Sequence, residues 1–136
     1  MENKNSSNEQ LCEQAKKGQE ARDASKWEFF HNEGVRLFDN CRSYREAIEA
    51  FSKAISHAEE AHQSKSYFVR ALVYYELADY DNVISDCTAA VDLQSNLDAS
   101  QIPKLYSTRG MAYKHIGDLQ KASADFRMAA KFLTNF

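Results

Sequence analysis

"RGMAYKHIGDLQKASADF", residues 109–126, is a variant of "RALVYYELADYDNVISDC", residues 70–87, written again 39 positions later. Similarity within one chain at a spacing of 20–50 residues marks a stacked architecture in which each copy is one supersecondary unit. Working outward from these two copies, the small residues Ala71 and Gly110 define a register, with Tyr74 and Tyr113 three positions later and Tyr67 and Tyr106 four positions earlier. Carried upstream, the register finds a third and weaker copy around Gly34, with Phe30 before it and Leu37 after it. The second half of each copy aligns Ala47, Val83 and Ala122, then Phe51, Cys87 and Phe126, then Ala54, Ala90 and Ala129.

Each half has helical periodicity. In "KWEFFHNEGVRLF", residues 26–38, Trp27, Phe30, Gly34 and Leu37 fall at steps of three or four, which is one face of a helix. "YREAIEAFSKAISHAEEA", residues 44–61, repeats that spacing, and "DNCRS", residues 39–43, reads as the turn between them. Four more amphipathic stretches follow at 65–78, 81–94, 103–116 and 119–136, so six helices pair into three hairpins. Pro103 suits a first helical turn, where a missing N–H costs nothing, and Ser100 is the expected cap. "AHQSKS", residues 61–66, and "SNLDASQ", residues 95–101, read as polar linkers.

Composition agrees with an all-α chain. Four Gly and one Pro in 136 residues are too few for the many turns of an all-β fold. That length suits one domain with its own core. Residues 1–24 are polar, and the apolar content of that stretch is too thin for a core helix, so a disordered or weakly helical tail is expected there, followed by a domain over 25–136. Ser7 and Gln10 form a candidate capping box within the tail.

Three cysteines at no metal-like or redox-like spacing and an opening "MENKNSSNEQ" without a basic start and apolar middle point to a reduced, cytoplasmic protein. No apolar run is long enough for membrane insertion. A net charge of -3 without a basic stripe argues against nucleic acid. Catalytic and cofactor chemistry is not expected either. His57 and His62 are five apart, off a shared helical face, and Cys87 falls at a core position. "DYDN" lacks the glycine and final Glu of a calcium loop, and no phosphate loop or nucleophile elbow is present.

The hairpin pattern resembles the tetratricopeptide repeat, a 34-residue helix–turn–helix whose small positions let two helices approach closely. The third copy carries the resemblance best: Gly110-x-x-Tyr113, the Gly117-Asp118 turn, and Ala122-x-x-x-Phe126-x-x-Ala129. The resemblance implies a right-handed superhelical stack of three hairpins, about 27–60, 64–95 and 103–136. Departures are an extra residue in the first turn and spacings of 37 and 39 between copies, longer than the family's 34.

The resemblance also implies a protein-interaction module, an adaptor or co-chaperone-like scaffold, that binds a partner peptide or helix in a groove lined by the first helix of each hairpin. The matching positions include His31, Asn32, Val35 and Phe38, then Phe68, Val69, Leu72 and Tyr75, then Lys104, Thr108, Met111 and Lys114. Their apolar members suit a segment with apolar anchors, while Asn32, Lys104 and Lys114 would orient a polar backbone or acidic group. One subgroup of the family grips chaperone C-terminal tails through cations and amides. The positions matching that clamp read His31, Val35, Val69, Lys104 and Thr108, and Lys104 alone keeps the required charge, so a chaperone tail is not the expected ligand. A self-assembling scaffold is the alternative, associating through Phe132, Leu133 and Phe136 at the outer face of the last hairpin, as a homodimer or end-to-end stack.

Overall fold

Small residues at every third or fourth position let paired helices touch backbone to side chain, and the computed structural model, which describes residues 4–134, is built on that contact. Six helices follow one another: α1 (Lys4–Asp39), α2 (Tyr44–His57), α3 (Glu60–Glu76), α4 (Tyr80–Asp92), α5 (Ile102–His115) and α6 (Leu119–Thr134). A short 3-10 turn, Gln94–Asn96, follows α4, and no strand occurs among the described residues. The helices pack as three antiparallel hairpins, α1 with α2, α3 with α4, and α5 with α6. Neighbouring hairpins join through α2 against α3 and α4 against α5, while α1, α3 and α5 lie side by side in a row.

Gly34 shows why the register works. A Cβ placed there would stand 2.7 Å from the Phe51 ring, and one on Gly110 would stand 2.9 Å from the Phe126 ring. Both distances are shorter than real side chains tolerate, so glycine is what allows each aromatic ring onto its partner helix. Ala47, Ala54, Ala71, Ala90 and Ala112 are fully buried at comparable helix contacts. The larger core side chains without exposure are Phe51, Leu105, Val73, Val83 and Cys87. Burial pushes the Cys87 thiol up to about 12, which keeps it protonated and inert.

The turns inside hairpins two and three are the same device. Ala78 (φ 56°) and Gly117 (φ 88°) both adopt the left-handed conformation that ends a helix, at no steric cost for the glycine. Asp79 and Asp118 then accept backbone N–H groups from Asn82 and Lys121 in the first turn of the next helix.

Three boundaries differ from the sequence reading. "AHQSKS" is helical rather than a linker: α2 stops at His57 and α3 begins at Glu60. Ser64 and Ser66, polar by composition, are fully buried, and Ser66 is bonded to Trp27 on α1. Upstream, where a disordered or weakly helical tail over 1–24 is expected, α1 continues without a break to Lys4. The described side chains from Asn8 to Ala15 are exposed, so this stretch is a solvated extension of the helix, and the side chain of Ser7, named as a cap, lies outside those described. Third, α5 is preceded by Gln101 with no side-chain cap, so Ser100 does not take that role, while Pro103 does sit in the first turn. The 95–101 connection is anchored by its one large apolar residue, Leu97, which is 7% exposed.

No helix is long and apolar enough to cross a membrane, and no three His, Cys, Asp or Glu side chains cluster as metal ligands, both among the described residues.

Candidate functional site

The row formed by α1, α3 and α5 carries the positions singled out for partner binding, and burial divides them. Asn32, Lys104, Met111 and Lys114 are exposed, Met111 at 39%. His31, Val35, Phe38, Val69, Leu72, Tyr75 and Thr108 are half-buried. Val35, Phe38 and Val69 lean on the cluster of Ala47, Phe51 and Val73, while Leu72 and Tyr75 lean on the second cluster around Cys87. Phe68 is different. At 6% exposure it belongs to the core with Ala71, Val83 and Cys87, and it is not a groove residue. Its helical position was one step from the row, a difference that periodicity alone did not resolve.

Two polar clusters tie neighbouring members of the row together. Between α1 and α3, Trp27 Nε1 donates to Ser66 Oγ at 2.8 Å, and His31 Nδ1 lies 2.9 Å from the same oxygen. The Trp27 ring stacks on His62 at 4.2 Å and on His31 at 5.1 Å. The Ser66 hydroxyl accepts from the indole and keeps its own hydrogen to donate to Nδ1, the arrangement that suits a neutral His31. Between α3 and α5, Tyr75 Oη pairs with His115 Nε2 at 3.2 Å, and His115 stacks on Tyr80 at 4.3 Å.

His31 gives the site a pH dependence. Burial, then the charge of Lys65, lower its pKa below the ordinary 6.5. The unfolded chain therefore takes up this proton first as pH falls, so the stabilisation is complete above 6.5 and is lost as pH drops through the lowered native value. Urea midpoints measured from about pH 7.5 to about pH 5 should fall, and His31→Asn should flatten that part of the profile.

The residues that sequence reasoning missed are the ion pairs inside hairpins two and three, whose arginines also reach the hairpin before. Arg70 on α3 donates through Nε and Nη2 to both carboxylate oxygens of Asp86 on α4, each at 2.7 Å, and through Nη1 to Ser52 Oγ on α2 at 2.9 Å. Arg109 does the same one hairpin later, with 2.8 and 2.7 Å bonds to Asp125 and a 3.3 Å bond to Thr88 Oγ1. Each guanidinium also lies over two tyrosine rings, Tyr67 and Tyr74 for Arg70, Tyr106 and Tyr113 for Arg109. Burial opposes the charge on Arg70, and the Asp86 hydrogen bonds and charge outweigh it. The Asp86 and Asp125 bonds close hairpins two and three, and the bonds to Ser52 and Thr88 tie each arginine to the hairpin before it. The signal was present, since both quoted copies begin with Arg and place Asp 16 residues later.

At the outer face of α6, Phe132 is half-buried and stacks on Tyr106 at 5.7 Å, so it folds back locally, whereas Leu133 is 62% exposed. Phe136, named with them as a self-association residue, lies outside the described residues.

Comparison with known proteins places this geometry. The tetratricopeptide repeat family model matches residues 64–97 and 103–131. Among solved structures, the second such domain of Spaghetti (RPAP3), bound to the HSP90 peptide SRMEEVD, superposes with a TM-score of 0.75 at 22% identity, covering 88% of this chain and 96% of that one. The first domain of the same protein, bound to the same peptide, gives 0.69 at 26% identity, with 82% of each chain covered. The N-terminal domain of stress-induced protein-1 (STI-1) from C. elegans gives 0.70 at 20% identity, covering 84% and 86%. No curated protein sequence matches the chain. The first hairpin, weak in sequence, closes its glycine on an aromatic ring as the third does and stacks on the second in the same way. Two repeats of the tetratricopeptide repeat family therefore lie within residues 64–131, and the first hairpin is built on the same plan.

Proposed function

We propose that the chain is a noncovalent protein-interaction module, adaptor or co-chaperone-like, that captures a partner segment along the row formed by α1, α3 and α5. The observation that carries this reading is chemical: half-buried Val35, Val69 and Leu72 lie on the same row as exposed Met111, flanked by exposed Lys104 and Lys114. An exposed methionine adapts to different apolar anchors, and two lysines without carboxylates of their own on α5 favour a segment with an acidic group beside its anchor.

The peptide seen on the two Spaghetti domains, SRMEEVD, bears on which segment this is. At the positions of the chaperone-tail clamp, His31 is engaged with Ser66, Val35 and Val69 are apolar, and the Thr108 hydroxyl donates to the Lys104 carbonyl at 2.7 Å. That leaves Lys104 as the exposed cation of the set. One cation is a poor substitute for a clamp that needs several charge-assisted bonds, so the preferred ligand is an apolar-anchored acidic segment rather than the chaperone tail.

Selection from a displayed peptide library should enrich sequences with apolar anchors next to Asp or Glu, and synthetic versions should lose at least about tenfold in affinity to Met111→Glu and to Lys114→Glu, with helicity unchanged. SRMEEVD measured by calorimetry on the same protein should bind more weakly than the selected peptides. Tight SRMEEVD binding that is lost in Lys104→Glu and kept in Met111→Glu would reverse the choice of ligand.

A further inference from the structure

Every junction inside the chain uses one register, and the two outer faces of the stack complete that register in chemistry that matches each other. Within the chain, the arginine one residue before the small position donates to a hydroxyl on the preceding hairpin: Arg70 to Ser52, Arg109 to Thr88. In the first hairpin the arginine position is Glu33, and in the third hairpin the hydroxyl position is Arg127, which is exposed. An acid therefore stands on the incoming face and a base on the outgoing one.

A second pair of positions behaves alike. Tyr106 Oη donates to Gln94 Oε1 of the preceding hairpin at 2.9 Å. The tyrosine position in the first hairpin is Phe30 and the glutamine position in the third is Leu133, so a polar pair inside the chain becomes an apolar pair between its outer faces. A third position shows what the incoming face lacks. Five residues before the small position, Ser66 and Leu105 are fully buried in their junctions, whereas the equivalent Phe29 is 65% exposed.

Charge follows the same division. The groove between α1 and α2 is walled by Phe29, Phe30 and Leu37 and rimmed by Glu33, Glu46 and Glu49. Lys53 also lines it, 5.7 Å over the Phe30 ring, and the neighbouring Arg36 pairs with Glu33 in a solvent-exposed bridge that Arg127 of another copy would replace. The exposed charges of α6 are Lys121, Arg127 and Lys131, all basic.

We propose that copies of this chain stack head to tail, the outer face of α5 and α6 on one copy seating on the outer face of α1 and α2 on the next, with Arg127 against Glu33 and Leu133 against Phe30. Such an interface is heterologous, so each added copy leaves one face of each kind open and growth does not stop at two.

Sedimentation of the 136-residue chain over a range of concentrations tests this. The expected result is a mass that passes beyond the dimer as concentration rises and falls back with added salt. Glu33→Arg and Arg127→Glu should each weaken association at least about tenfold. An equimolar mixture of the two single variants should restore it, because each then presents the other with a matched pair, and this recovery also shows that both variants fold. A monomer at every concentration overturns the proposal. So does a dimer that stops growing, or association that survives Glu33→Arg, since both describe a symmetric contact through the last hairpin alone.

Discussion

Asp86→Ala is expected to lower the unfolding free energy by about 3 kcal/mol, read as a drop in the urea midpoint without a change in slope. The carboxylate side chain is 6% exposed and the Arg70 guanidinium side chain 18%, so the substitution strands a cation among tyrosine rings with one weak partner left, the Ser52 hydroxyl. Most of the cost is that stranded charge, not the lost attraction, because both ions surrendered their water on folding. Removing both partners separates the two effects: Arg70→Met together with Asp86→Ala should recover more than half of the loss. A double variant as unstable as the single would mean that the pair itself, rather than an uncompensated charge, was the source of stability. Because repeat arrays transmit stress mainly to nearest neighbours, the opening should show first as faster amide exchange in α2, α3 and α4.

Phe51→Ala should be at least as damaging, about 3–5 kcal/mol. The ring has no solvent exposure, meets the edge of the His31 ring at 5.5 Å, and packs beside Ala47 and Val73, so it joins three helices. The cost of a cavity depends on what can move in to fill it. Here Gly34, close against the ring, has no side chain to offer, and Ala47 on the same helix is nearly as small. The upper half of the range is therefore expected. Phe51→Leu, which leaves most of the volume filled, should cost less than half as much by the same urea measurement.

How much of this was legible in the sequence varies with the kind of fact. The helices and their pairing came from the positions of Gly34, Ala71 and Gly110, because close approach leaves a size signature that a single sequence displays. The start of α3 was hidden for the opposite reason. Ser64 and Ser66 look like linker residues by composition, and only the third dimension buries both and brings Trp27 onto Ser66. Phe68 was misplaced by one face, since an amphipathic helix between two neighbours buries more than one stripe and periodicity does not say which stripe meets a partner. The arginine and aspartate of the junctions were visible in both copies as charges, but a charge reads as surface until a partner 16 residues away is seen to turn towards it. Repetition was the one signal that could have separated them from ordinary surface residues.

The chain contains a single tryptophan, and its indole sits in the first junction, bonded to Ser66 and stacked on His62. Its emission is thus an optical label confined to one seam of the molecule, while far-ultraviolet dichroism averages over every helix. The difference between the two signals separates loosening at the first seam from melting of the whole array, without a dye or an added residue.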